Sequence, residues 1–198
     1  ETVINKKNIS KSEIIETLSK KFNLATPKTN KNDAPKVPVS TAQTSDFWLN
    51  DASAAALANK CDFIAVNIYP HWNWNKPDAN NQPKLQLNSL TPQQGFDDFE
   101  KQYDDIAKKY PGKQIVVTET GWPTTYGNTP NPPPIQYQKG LDNAHSYFKL
   151  IKDWSDKNQV VVYYYSMFDD WYGVNATSQY NMHFGLLNTD RSKKGANA

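Results

Sequence analysis

Cysteine is almost absent from the 198-residue chain, and its single Cys61 excludes an internal disulfide. Charge of one sign is lacking too: 22 basic against 20 acidic side chains leave a net +2, which argues against a partner held by bulk charge, such as duplex nucleic acid or an anionic membrane surface. No uninterrupted apolar run approaches the roughly 18 residues of a spanning helix, so a membrane-embedded chain is not expected. The three histidines, His71, His145 and His183, lie far apart, and with one cysteine they give no familiar metal-ligand spacing. No metal or other cofactor is therefore expected. A phosphate-cradling glycine-rich loop is missing, and the lysine-rich stretches near Lys6, Lys20 and Lys36 read as solvated faces. Residue 1 begins neither with Met nor with a charged-then-apolar leader, so the chain does not report its own targeting.

Aromatic side chains are what the sequence has in excess. They make up 13%, with six Trp and eleven Tyr, in a chain whose mean hydropathy is only -0.79. That exceeds what so polar a chain needs for packing; clefts that bind carbohydrate use such faces, and so do cores.

Apolar periodicity alternates short β-branched runs with longer helical patterns, the mark of βα units around a parallel sheet. A first short helix is expected where Ile14, Ile15, Leu18 and Phe22 share a face behind Ser10 or Ser12. A polar connector, residues 26–36, precedes a short buried strand over Val37–Ala42, weakened by Pro38. An alanine-rich helix over Asp51–Lys60 leads to a strand over Asp62–Tyr69. After it comes a long loop, residues 70–92, rich in Asn, Gln, Pro and Trp and far beyond the usual connection length, as functional loops often are. A helix carrying Phe96, Phe99, Tyr103, Ile106 and Tyr110 ends at Pro111-Gly112, and the strand Gln114–Glu119 follows. A proline-rich loop then reaches a helix with Tyr137, Leu141, Ala144, Phe148, Ile151 and Trp154, and a last strand spans Val160–Tyr165. Four strands joined by helices make a half-barrel or half-wound sheet, whereas a complete (β/α)8 barrel uses about 250 residues. An isolated arc of four parallel strands exposes two apolar edges, so something is expected to cover them.

In parallel α/β architectures functional groups gather where strands enter their loops. Glu119 leaves the apolar run Ile115–Thr118 there, ahead of Thr120-Gly121-Trp122-Pro123. From spacing alone, a partly buried structural carboxylate is as good a reading as a catalytic one.

The string Val117-Thr118-Glu119-Thr120-Gly121-Trp122-Pro123-Thr124 resembles the nucleophile signature of glycoside hydrolase family 17, the β-1,3-glucanases and β-1,3-glucanosyltransferases. Val66-Asn67-Ile68-Tyr69-Pro70 is similar to the family's segment at the end of strand six. Tyr164-Tyr165-Ser166-Met167-Phe168-Asp169-Asp170 is similar to its segment at strand eight, with Ser166 where the family usually has Glu. His183-Phe184-Gly185-Leu186-Leu187-Asn188 matches its closing segment, and Val37–Ala42 looks like strand five. The resemblance implies a (β/α)8 TIM barrel of which this chain carries about the second half, strands five to eight, as one catalytic domain over residues 1–198. The missing N-terminal half, from the same protein or a second chain, would close it.

The same resemblance implies a retaining enzyme of β-1,3-glucan, with Glu119 as nucleophile and Glu1, at the end of strand four, as general acid/base. Retention needs two carboxyl groups about 5 to 5.5 Å apart, one to attack the anomeric carbon and one to protonate the leaving oxygen. Tyr69 is implied to hydrogen-bond the nucleophile. Trp72, Trp74, Trp122 and Trp171 offer flat faces to sugar rings or anchor loops, with Trp122, close to Glu119, favoured to touch sugar. Asn67, Phe168, Asp169 and Asp170 complete the implied substrate site, the two Asp residues to orient cleft residues or bind hydroxyls, although ordinary turn Asp residues would look the same. The long loop at 70–92 leans toward acceptor subsites and transfer. A secreted or cell-wall location is implied, and Asn8-Ile9-Ser10 and Asn175-Ala176-Thr177 are formal glycosylation sequons. Two other readings stay open: a non-catalytic carbohydrate-binding or structural fragment, and a retaining glycosidase of the same clan acting on another β-glucan.

Overall fold

The computed structural model describes residues 37–70, 90–124, 134–170 and 183–195, with side chains in the fourth helix from residue 140 onward. Four parallel strands form one sheet in the order β1-β2-β3-β4. They are β1 (Ala42–Thr44), β2 (Ile64–Asn67), β3 (Ile115–Thr120) and β4 (Val162–Tyr164), joined through α1 (Ser45–Asn50), α2 (Ala54–Ala58), α3 (Pro92–Lys109) and α4 (Pro134–Asn158). Sequential strands lying side by side in parallel are what βα units produce. The expected first helix falls outside the described residues.

Two expectations shift for local reasons. The strand sought at Val37–Ala42 forms instead at Ala42–Thr44. Ahead of it the backbone is tied by side chains: Val39 N donates to Asp62 Oδ2 at 2.8 Å and Ser40 Oγ to Phe63 O at 2.6 Å. The helix expected over Asp51–Lys60 is shorter, α2 alone, and α1 ahead of it was not expected. Asp51 Oδ1 accepts from Ser53 N at 2.9 Å and from Ser53 Oγ at 2.6 Å, an Asx-type turn that interrupts helical bonding.

Ile64 and Val66 of β2, Ile68 just past it, and Ile115 and Val117 of β3 are buried against the helices together with Trp48, Phe99, Ile106, Tyr147 and Ile151. Period-two alternation sends their neighbours to the other face of the sheet. Polar bonds lock the helices to the strands. Trp48 Nε1 in α1 donates to Ala65 O of β2 at 2.8 Å, and Tyr147 Oη in α4 lies 2.8 Å from Thr120 Oγ1 of β3. Helix α3 starts on a capping box, Thr91 with Gln94, and has Pro92 in its first turn. At its far end, Lys109 Nζ donates to the α1 carbonyls Trp48 O and Leu49 O at 3.0 and 2.8 Å. The ends of the strands are thus held by helices packed on one face, which leaves the other face to the polar residues of the site. No helix among the described residues is long and apolar enough to cross a membrane.

Candidate active site

Glu119 is half-buried near the end of β3, and the sheet is irregular around it. Val66 pairs with Val117, but the next residue of β2, Asn67, pairs with Glu119, so β3 carries one extra residue, Thr118, at this point. A bulge of this kind re-aims side chains. Thr118 Oγ1 donates to Asn67 Oδ1 at 2.7 Å, and Tyr69 Oη donates to Glu119 Oε2 at 3.0 Å. After the bulge, Thr120 turns back to the helix side, where it is fully buried against Tyr147. The bulge thus lets adjacent Thr118 and Glu119 both bond side chains from the end of β2. Nothing in the residue pattern announced it.

Burial raises the Tyr69 phenol far above its ordinary value, and the Glu119 charge and hydrogen bond add to that. Tyr69 is therefore a firm hydrogen donor to the carboxylate. Tyr165, one residue past β4, donates to Asp170 Oδ2 at 2.7 Å. That bond first, then burial and the charges of Asp170 and Glu119, push its phenol up to about 12. Phe184 is buried between the two phenols, 5.8 Å edge-on from Tyr69 and 5.7 Å from Tyr165. Backbone bonds fix this wall, since Tyr165 N donates to Thr120 O at 2.7 Å and Ser166 N to Phe184 O at 3.1 Å. A Cβ at Gly121 would collide with Tyr165 O and the Phe184 ring, so only glycine lets the strands close this far. Tyr165 and the wall role of Phe184 were missed in the sequence, although both residues sit in segments that drew notice.

Trp122 departs from expectation. It has no exposed surface and packs against Tyr147 at 5.1 Å between ring centroids. A Cβ at Gly95 of α3 would come within 2.5 Å of its Cζ3. Trp122 is thus a core pillar behind the strand and not a plate facing sugar. Of the roles open to Asp169, orienting its neighbours is the one its contacts fit. Its carboxylate is 2.6 Å from Lys194 Nζ and accepts from Gly185 N at 2.9 Å, and its side chain is 11% exposed, so it holds the chain itself together.

Phe168 is 40% exposed, with the Arg191 guanidinium 5.8 Å from its ring centroid. Asp170 is exposed and holds Tyr165. Ser166 Oγ bonds Phe168 O at 2.7 Å. Asn67 and Tyr69 meet the site through Thr118 and Glu119. Glu1, Trp72, Trp74 and Trp171 lie outside the described residues. Among the described residues no three His, Cys, Asp or Glu side chains are arranged to hold a metal ion. The arrangement supplies one carboxylate with a directed phenol donor at the end of a parallel strand, suited to nucleophilic or acid–base work.

A glucan 1,3-beta-glucosidase of Arthroderma benhamiae is 23% identical over 172 residues, covering 81% of this chain and 50% of that protein. The crystal structure of a glycoside hydrolase family 17 beta-1,3-glucanosyltransferase from Rhizomucor miehei matches with a TM-score of 0.56 at 22% identity, covering 80% of this chain and 49% of that one. An active-site mutant of that enzyme in complex with laminaritriose matches at 0.58 and 21%, again over 80% and 49%. These structures share the fold, a parallel α/β arrangement like that of the family 17 barrels, and the chain spans about half the length of the relatives it matches. Residues 1–185 match the BtgE/BtgC glycoside hydrolase domain, and the chain belongs to that family.

Proposed function

We propose that the chain carries the nucleophile half of a retaining β-1,3-glucan enzyme, in which Glu119 attacks the anomeric carbon and forms a covalent glycosyl ester. The single observation that carries this reading is the 3.0 Å hydrogen bond from Tyr69 to Glu119 at the ends of adjacent parallel strands. It orients one carboxylate oxygen and leaves the other for attack. The family match and the β-1,3-glucan chemistry named for the relatives supply the substrate class.

In the first half-reaction Glu119 bonds to C1 while a protonated carboxyl gives its proton to the departing glycosidic oxygen. In the second, water or a glucan hydroxyl loses its proton to the same carboxyl group and attacks C1, and the Glu119 carboxylate leaves. Water gives hydrolysis and a sugar hydroxyl gives transfer. Glu1 is the proposed acid/base. Asn67, Phe168 and Asp170, with Trp72, Trp74 and Trp171, are the proposed contacts to glucan.

A half-barrel of one domain, completed by an N-terminal half, fits four parallel strands in a chain spanning about half its relatives. A secreted or cell-wall site of action follows from the glucan substrate. The sheet ends at β1 and β4 among the described residues, and this favours a second reading, in which the segment alone binds glucan without turning it over.

The test uses the protein that carries these residues. Glu119→Gln should abolish release or elongation of laminari-oligosaccharides. Glu119→Ala with azide should give an α-glycosyl azide, because azide enters the space left by the nucleophile on the face opposite the leaving group. A β-azide, or full activity in Glu119→Gln, refutes the assignment. Products from β-1,3- against β-1,4- and mixed-linkage oligosaccharides decide the linkage.

A further inference from the structure

Lys194 is the most deeply placed cation described, with a side chain only 1% exposed. An ammonium has three protons to donate, and here each has an acceptor: Asp169 Oδ1 at 2.6 Å, Thr124 Oγ1 at 3.0 Å and His183 O at 3.2 Å. The three acceptors belong to three separate segments. Thr124 lies on the exit of β3, five residues beyond Glu119; Asp169 lies on the exit of β4, four beyond Tyr165; His183 precedes Phe184. The segments also bond one another. Thr124 N donates to His183 O at 2.9 Å, Gly185 N to Asp169 Oδ1 at 2.9 Å, and the His183 imidazole Nδ1 stands 3.6 Å from Asp169 Oδ2.

A buried ion pair is poor evidence of stability, since an apolar pair of similar volume often serves as well or better. Burial indeed draws the Lys194 ammonium below its ordinary value, and the Asp169 carboxylate works against that. What an apolar pair cannot do is fix three oxygen atoms on three segments in direction as well as distance. The group so fixed is the residue 183–185 segment, and its Phe184 ring is the wall between Tyr69 and Tyr165. Lys194 lies past residue 185, where the family match ends.

We propose that Lys194 is a positioning residue: through Thr124, His183 and Asp169 it holds the Phe184 wall, and so keeps the Tyr69 hydroxyl aimed at the Glu119 carboxylate. The kinetic consequence rests on the nucleophile reading above; the structural consequence does not.

Three variants test it in the protein that carries these residues. Lys194→Met should lower kcat about 3- to 10-fold, no more than loss of the Tyr69 hydroxyl itself would, with kcat/KM changed less, and raise the share of Glu119 held as glycosyl ester. Lys194→Arg should reverse most of both effects. In Lys194→Met, amide exchange at Tyr165, Gly185 and Thr124 should quicken more than tenfold, and at Ile68, whose N–H bonds Glu119 O, by a similar factor, while Val117 stays protected. The double variant Lys194→Met/Asp169→Leu removes the unpaired charge, so it should fold and still show low kcat and fast exchange. Normal kcat in folded Lys194→Met, recovery of kcat in the double variant, or equal loss of protection at Val117 and Ile68 overturns the proposal. Were the wild type inactive on glucan, the nucleophile reading would fail alone, and unchanged exchange at Ile68 and Tyr165 would still refute the positioning role.

Discussion

Tyr69→Phe tests the centre of the site with little disturbance, because the ring stays and keeps its edge-on contact with Phe184 at 5.8 Å. What goes is one hydrogen bond of 3.0 Å to Glu119. A bond to a charged acceptor contributes ~1.5–3 kcal/mol. In the proposed mechanism its worth follows the charge on the carboxylate, which is full in the free enzyme, absent in the glycosyl ester and partial in both transition states. In the first step the bond weakens on the way to the transition state, so removing it does not raise that barrier through charge. In the second step Glu119 is the leaving group and regains negative charge, so the bond strengthens. With about half the charge regained, the loss is ~0.7–1.5 kcal/mol, or roughly 3- to 13-fold in the second step.

The variant should therefore lower kcat by that factor while kcat/KM changes less, and the glycosyl ester should accumulate. An aryl laminari-oligosaccharide gives a burst of phenol in stopped-flow, and mass spectrometry of the peptide containing Glu119 counts the ester. Unchanged kcat refutes the assignment of this bond. So does a fall in kcat/KM as large as that in kcat with no burst, since orientation alone would then account for the loss.

Two further outcomes follow from the packing and the phenols. Trp122→Phe trims a fully buried indole whose Nε1 has no hydrogen-bond partner among the described residues, so lost packing is partly offset by relief of a stranded donor, and urea unfolding should show about 1 kcal/mol less stability. KM for laminari-oligosaccharides should stay within twofold; a threefold rise at unchanged stability would return Trp122 to the substrate. The Tyr165 phenol, raised from 10.0 to about 12, stabilises the fold fully below pH 10 and loses that contribution as pH climbs toward about 12, because over this window the unfolded chain alone releases the proton. Melting temperatures measured from pH 9 to 12 should fall, and less steeply for Tyr165→Phe; Tyr69 and Tyr147, shifted in the same direction, keep the slope from vanishing.

Most of the sheet was legible because its causes are local. Ile64–Asn67 and Ile115–Thr120 are strands whose helix-side residues are β-branched, and α3 announces itself by Phe96, Phe99, Tyr103 and Ile106 at helical spacing and by Pro111-Gly112 past its end. Where expectation slipped, a side chain had taken over a backbone bond that periodicity does not count. Asp51 delays the start of the expected helix by bonding Ser53, and Asp62 and Ser40 replace ladder bonds ahead of β1. The bulge at Thr118 is of the same kind, since its extra residue is indistinguishable in the sequence from one more strand position.

The site divides along a different line. Tyr69 and Glu119 meet because both lie at the carboxyl ends of neighbouring parallel strands, so topology alone brings them close whatever the loops do. Asp169 and Trp122 sit beside equally suggestive residues, yet each takes its role from a partner topology does not specify: Lys194, which lies 25 residues on, and Gly95 and Tyr147 in two different helices. An acidic residue at the exit of a parallel strand reads as a sugar contact until a buried ammonium is found on it. The same holds for a tryptophan three residues past Glu119, whose face is free only if no helix glycine makes room for it. Residues placed by strand pairing can thus be assigned from motif order, while those placed by long-range packing need the coordinates. In this chain the first class supplies the carboxylate and its phenol, and the second the wall and clamp that hold them in line.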